Sequence, residues 1–311
     1  MKPLFKAAVL VLIVALAVGC SQANPADTNE NITITAAEAE DAFEIPIPIA
    51  SGVNVEQTEK ASIDYSNMHH GYVVVKYIGN TDKTLRAVVT APHEAKYIYA
   101  LKDGGMTEVI PLTEGDGEYV VGIYENVEGD NYSQLISLSL DVVLDNEFVP
   151  FIHPNQFVNF TKESDLVALA AELTKHADSS KEKITAIYYF VVDNFTYDYD
   201  LAASVRSGYL PDLETVLDKK EGICFDYSAL VTAMLRSQGI PTRLEIGYHG
   251  EEYHAWISIY CEEDGWIDTR YNYDGDEWSM MDPTVESGER RSHRSRQHAR
   301  DDDEYRLMYN Y

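Results

Sequence analysis

The chain has 311 residues, of which 45% are hydrophobic and 11% aromatic, enough to bury one large core or two ordinary ones. Lys and Arg number 24 against 52 Asp and Glu, a formal net charge of −28. A phosphate backbone needs a basic surface, so this balance excludes nucleic acid as a partner and marks a highly soluble acidic protein.

Met1-Lys2-Pro3-Leu4-Phe5-Lys6 is a basic stretch ahead of a short apolar run, Ala7 to Val18, too short to span a bilayer comfortably. The run ends in Leu16-Ala17-Val18-Gly19-Cys20, which resembles a bacterial lipoprotein signal. The resemblance implies removal of residues 1–19, lipid on Cys20, and an extracytoplasmic protein anchored to the cell membrane through that lipid. Residues 20–60 are rich in Ala, Asn, Thr and Glu and lack a sustained apolar period. Ile45-Pro46-Ile47-Pro48-Ile49 favours extended backbone, so the segment is predicted to be a flexible tether.

Residues 61–150 read as β structure. Strand runs are predicted at 72–77, 85–90, 97–101 and 117–124. Ile136, Leu138, Leu140 and Val142 alternate with polar residues in the pattern of a half-buried strand. Asp103-Gly104-Gly105 and Gly115-Asp116-Gly117 supply turns between them. Short strands at this spacing predict a small all-β, Ig-like sandwich used for spacing or docking. His69 and His70, read as strand neighbours, point to opposite faces, which disfavours a shared metal ion.

The period changes near Pro150, and helical spacing begins. Leu166, Leu169, Ala170 and Leu173 form one apolar face. Ser179 with Glu182 three residues later is a capping-box signal. A helix opening at Cys224 sends Leu230, Val231, Met234 and Leu235 inward, and Gly239 and Pro241 stop it. Strands carrying Leu244, Ile246 and Tyr248, then His254, then Trp278, Met280 and Asp282 follow, and Tyr305 to Tyr311 reads as a closing strand. Residues 151–311 are therefore predicted to be a domain of class α+β, a helix packed on an antiparallel sheet.

Gly222-Ile223-Cys224-Phe225-Asp226-Tyr227-Ser228 puts a cysteine at a helix start, where free backbone N–H groups and a partial positive charge favour thiolate over thiol. His254-Ala255-Trp256 supplies a candidate general base. Asp282-Pro283-Thr284 supplies a carboxylate to orient it, with Asp268 as the competing carboxylate. The Cys224 N–H is the natural first oxyanion donor, and Tyr197 and Tyr199 are side-chain candidates for a second. Trp256 and Trp266 are candidate cleft walls.

These pieces resemble the transglutaminase-like superfamily. The likeness rests on Gly222-Ile223-Cys224, on Arg236-Ser237-Gln238-Gly239-Ile240-Pro241-Thr242-Arg243, on His254-Ala255-Trp256 and on Trp278-Ser279-Met280-Met281-Asp282-Pro283-Thr284, in that order over roughly residues 160–284. The resemblance implies a papain-like fold with a Cys224, His254 and Asp282 triad. The triad acts on amide bonds in a peptide or protein through a Cys224 thioester, with no cofactor and no metal. Water as acceptor gives a protease or amidase, which the wider superfamily favours. An amine as acceptor gives a cross-linking transglutaminase. A non-catalytic module that binds cell wall or protein is the reading from another class.

Three smaller features complete the sequence. Cys261 is either a buried inert thiol or a disulfide partner that would silence Cys224. Asp274-Gly275-Asp276-Glu277 resembles part of a calcium loop but lacks its longer register. Arg290, Arg291, Arg294, Arg296 and Arg300 cluster in a very acidic chain, as a solvated loop or a contact for anionic cell-wall polymer.

Overall fold

The computed structural model describes residues 43–262, 265–268, 271–273, 278–280, 283–284 and 305–311. Cys20, Asp282, the 274–277 acidic segment and the arginines between 290 and 300 lie outside the described residues.

The first half of the described chain is built from two antiparallel sheets. One has the strand order β1 (Val55–Gln57), β2 (Ala61–Asp64), β3 (Tyr72–Tyr77), β6 (Thr107–Pro111). The other has the order β5 (Lys96–Leu101), β4 (Leu85–Thr90), β7 (Gly117–Glu128), β8 (Asn131–Val142). Alternation decides which residues enter the core. Leu85, Ala87 and Val89 of β4 are buried while Arg86, Val88 and Thr90 are less so. Ile63, Val73 and Val75 of the first sheet and Tyr99, Val121 and Ile123 of the second lie in one apolar core. A buried Tyr77 hydroxyl donates to Glu125 Oε1 at 3.0 Å and ties the sheets at one edge.

The second half is helical and then β. The helices are α1 (Asp165–Thr174), α2 (Ser180–Asn194), α3 (Tyr199–Ser204), α4 (Leu213–Lys219) and α5 (Cys224–Ser237). At the start of α2 the Ser179 hydroxyl accepts from the Glu182 N–H at 3.2 Å, as the sequence predicts. Its return bond falls one residue early, from the Asp178 N–H to Glu182 Oε2 at 2.7 Å. Helix α5 is almost wholly buried, and Leu230, Val231, Met234 and Leu235 have no exposed surface. Burying each of these side chains contributes about 1.5–3 kcal/mol. The helix ends where Gly239 takes φ 77°, a left-handed conformation that a side chain would strain.

Helix α5 packs on a third antiparallel sheet, ordered β13 (Gly265–Asp268), β12 (Glu252–Cys261), β11 (Thr242–His249), β16 (Tyr305–Asn310). The predicted closing strand is thus β16, paired with β11. Two short pairs complete the described strands: β9 (Thr196–Tyr197) runs parallel to β10 (Glu221–Gly222), and β14 (Tyr271–Tyr273) runs antiparallel to β15 (Trp278–Met280).

The two halves share apolar packing. Tyr97 sets its ring 5.5 Å from Tyr309 and 5.6 Å from Tyr311, and Tyr99 lies 5.7 Å from Phe157. Residues 42–311 form one compact unit. Arg236, the largest fully buried side chain, sits near the join. Its guanidinium donates to the backbone oxygens of Thr242 at 2.9 and 2.7 Å, His153 at 2.6 Å and Tyr311 at 2.6 Å. Burial lowers its pKa to about 9, so it stays charged at neutral pH.

The end of the predicted tether is docked. Ile45 is buried, the Pro46 carbonyl meets His153 Nδ1 at 2.7 Å, and the Ile49 N–H donates to the Tyr72 hydroxyl at 3.2 Å. Residues 55–57 and 61–64 then enter the first sheet, so a free tether cannot extend to residue 60. His69 and His70 lie on a 3₁₀ turn, Met68–His70, not on a strand, and the alternation that separates strand neighbours does not apply to them.

Candidate active site

The site is assembled around the first turn of α5. Before it, β10 lies against β9 with Gly222 opposite Tyr197, and the Asp198 N–H donates to the Gly222 carbonyl at 2.9 Å. Ile223 is extended and caps the helix without a side-chain oxygen of its own. Asp226, three residues on, bends back and accepts from the Ile223 N–H at 2.8 Å. Its other oxygen accepts from the Tyr209 hydroxyl at 2.7 Å. A Cβ on Gly222 would stand 2.6 Å from the Asp226 Cβ, so glycine here leaves room for the returning carboxylate. Burial pushes the Asp226 carboxyl above the usual carboxylate range, against the pull of the Ile223 and Tyr209 bonds. Burial, followed by the Asp226 partner, pushes the Tyr209 hydroxyl up as well.

Cys224 is the first residue of α5, a free and partly exposed thiol. Its N–H is one of those a helix start leaves without an intrahelical partner, available to an incoming oxyanion. Cys261 also forms no disulfide and is fully buried at the far end of β12, which removes the disulfide alternative and leaves the buried thiol.

His254 lies near the start of β12, opposite Gly247 of β11, and is partly exposed. Its ring centroid is 5.9 Å from that of His249 and 6.3 Å from those of Trp256 and Tyr305. One bond brings the cysteine helix and the histidine strand into register. The Ser228 hydroxyl, one turn below Cys224, donates to the carbonyl of Ala255, the residue after His254, at 3.0 Å. Tyr253, on the other side of His254, lies within electrostatic reach of Cys224. Burial first, then the charges of Tyr309, Tyr248 and Cys224, push its hydroxyl up.

The remaining candidates divide. Tyr197 is half-buried, and its backbone pairs with Gly222, two residues before Cys224. Tyr199 opens α3 at 76% exposure, packed edge-on against Tyr197 with 5.0 Å between ring centroids. Asp282 lies outside the described residues. The backbone of Asp268 is on β13 opposite Ser258, further along β12 from His254. Trp256 is buried against Tyr305. Trp266 is engaged elsewhere: it stacks on the Arg243 guanidinium at 3.7 Å and donates to Glu147 Oε2 at 2.9 Å, so it fastens the 144–151 connection to the sheet.

The sequence reading missed Ser228, Asp226 and Tyr209 as parts of this site. Asp226 at the third helical position was a legible signal, because an acidic residue there reaches back to the N-cap N–H. Tyr209 and Ser228 carried none, since their partners are set by tertiary packing.

Comparison with known proteins finds likenesses over the part of the chain that carries Cys224 and His254. The family model described as transglutaminase-like superfamily matches residues 167–270, about a third of the chain. The uncharacterised protein YebA of Bacillus subtilis is 27% identical over 118 residues, covering 32% of this chain and 16% of YebA. A protein-glutamine gamma-glutamyltransferase of Pseudomonas aeruginosa is 28% identical over 121 residues, covering 34% of this chain and 18% of that enzyme. The chain thus spans less than a fifth of the length of either relative. Among solved structures, the periplasmic domain of TgpA from Pseudomonas aeruginosa aligns with 76% of this chain and 97% of that one, at 15% identity and a TM-score of 0.35. Residues 167–270, which carry both Cys224 and His254, are thus similar to the transglutaminase-like superfamily.

Proposed function

We propose that the protein is a cysteine-nucleophile enzyme that acts on amide bonds of a peptide or protein through a Cys224 thioester, held to the outer face of a bacterial membrane by lipid on Cys20. The observation that carries the chemistry is the free, partly exposed Cys224 at the start of a buried helix that is bonded, one turn on at Ser228, to the strand bearing His254. In this reading the thiolate attacks the amide carbon, and the Cys224 N–H, with Tyr197 beside it, receives the developing oxyanion. His254 takes the thiol proton and returns it to the leaving amine, and Asp282 orients the imidazole. Water then releases the acyl group as an acid.

A second reading replaces water by an amine and makes the enzyme a protein cross-linker. The likeness to the protein-glutamine gamma-glutamyltransferase of Pseudomonas aeruginosa favours it. Single-turnover assay of one glutamine-bearing peptide, with and without a primary amine, separates the two. Ammonia release with an acid product supports hydrolysis, and amine incorporation supports transamidation. Formation of neither product by the unmodified protein would leave the binding-module reading. The anchor is tested separately: Cys20→Ala should release the protein from membranes or leave the precursor unprocessed.

A further inference from the structure

His69 and His70 are drawn together with Asp145 by a part of the fold unrelated to the cysteine site. One ligand atom from each lies within 4.8 Å of the other two. His70 Nε2 is 3.4 Å from Asp145 Oδ2, and the two histidine rings are 4.1 Å apart between centroids. Ligands at about 2.0–2.1 Å around a tetrahedral zinc ion stand roughly 3.4 Å from one another. The His70–Asp145 pair already has that separation, and a His69 ring nitrogen lies within 4.8 Å of both partners.

The backbone beneath the three side chains is pinned. The Asp145 N–H donates to the His69 carbonyl at 2.8 Å, the His70 N–H to the Asn67 carbonyl at 2.9 Å, and the Gly71 N–H to the Met68 carbonyl at 3.0 Å. The His70 carbonyl meets His153 Nε2 at 3.2 Å. These bonds fix the origin of each ligand while the His70 and Asp145 side chains, at 47% and 50% exposure, remain open to solvent. Two imidazole nitrogens and one carboxylate suit zinc and its neighbours in the divalent series, and poorly suit calcium or magnesium, which prefer all-oxygen sets.

We propose that His69, His70 and Asp145 bind one divalent cation of the zinc class, with water in the remaining position. The site would join the 68–70 turn to the 144–151 connection. That connection also holds Glu147 and Phe151 against Trp266, and Phe151 against Arg243. Metal would therefore tie down the segment that links the β half to the cysteine-bearing half.

The test is calorimetric titration of Zn²⁺ into the full chain carrying Cys224→Ser, which removes the α5 thiol as a rival ligand. One ion should bind per chain and raise the melting temperature of the protein, since the ion would bind the folded state preferentially. His69→Gln, His70→Gln and Asp145→Asn, each in that background, should weaken binding by at least the about 10- to 100-fold that loss of an outer-shell partner costs at metal sites. Their melting temperatures without metal should match the parent, because the three side chains are solvent-facing. Absence of stoichiometric binding, or binding of unchanged affinity in all three variants, would overturn the proposal. The second result would assign the ion to other histidines.

Discussion

The Ser228 hydroxyl donates to the Ala255 carbonyl at 3.0 Å with both residues buried, and this bond sets the cysteine helix against the histidine strand. Ser228→Ala leaves that carbonyl without its hydroxyl partner, at a cost of about 1–3 kcal/mol. The same change should slow acylation of Cys224 by roughly tenfold or more, because small misplacements of reacting groups are costly. Denaturant unfolding and single-turnover acylation measured together check it. A stability loss with an unchanged acylation rate would make the bond structural only.

Gly222 and Asp226 form the turn that presents the thiol. Gly222→Ala places a Cβ 2.6 Å from the Asp226 Cβ, so something must shift, at about 1–3 kcal/mol. Asp226→Ala removes the acceptor for both the Ile223 N–H and the Tyr209 hydroxyl and should cost a similar amount. Thermal unfolding of the two variants reads this out. Wild-type melting in either would mean that the turn tolerates rearrangement.

In the candidate site the position of Cys224 at a helix start was legible because helix-start chemistry is local: Gly222, Cys224 and Asp226 lie within five residues. The strands at 72–77 and 85–90 were equally legible, since alternation is a sequence property. What was not legible depended on distant contacts. Residues 55–57 and 61–64 carry too few apolar positions to announce strands and gain them by pairing with the chain after them. The turn under His69 and His70 was not legible because a three-residue 3₁₀ turn leaves no periodic trace, and Asp145, which pairs with His70, lies far along the chain.

The two halves should not separate cleanly. A fragment beginning at Asn159 would uncover Tyr309 and Tyr311, which pack on Tyr97, and would drop the Thr113 hydroxyl bond to the Asn310 carbonyl. It would also remove the His153 carbonyl that Arg236 holds. Such a fragment should melt at a clearly lower temperature than the whole chain, or fail to fold. Equal melting temperatures would show that the shared aromatic packing contributes little.

His153 gives the fold an acid-sensitive point. Burial, reinforced by the charge of Arg236 and opposed by its Pro46 and His70 carbonyl contacts, lowers its pKa to about 4 from the ordinary 6.5. The unfolded chain therefore takes up this proton first. Stability from this group is fully present above about pH 6.5 and is lost as pH falls toward 4, by on the order of 3 kcal/mol at about 1.36 kcal/mol per pKa unit. Denaturation at pH 7 and pH 4.5 should show a smaller acid penalty in His153→Gln than in wild type. Equal penalties would place the acid sensitivity in the carboxylates instead.

Acid-quenched mass spectrometry during single turnover of an activated glutamine-peptide ester reads out whether Cys224 forms the acyl-enzyme with His254 as its base. One acyl adduct is expected on the peptide containing Cys224, none in Cys224→Ala, and adduct formation slowed by about 100-fold or more in His254→Ala. Asp282→Asn should slow it by roughly two to four orders of magnitude and Asp268→Asn by much less, if the carboxylate follows the triad pattern. Turnover that persists in Cys224→Ala, or an adduct on any other residue, would contradict the account.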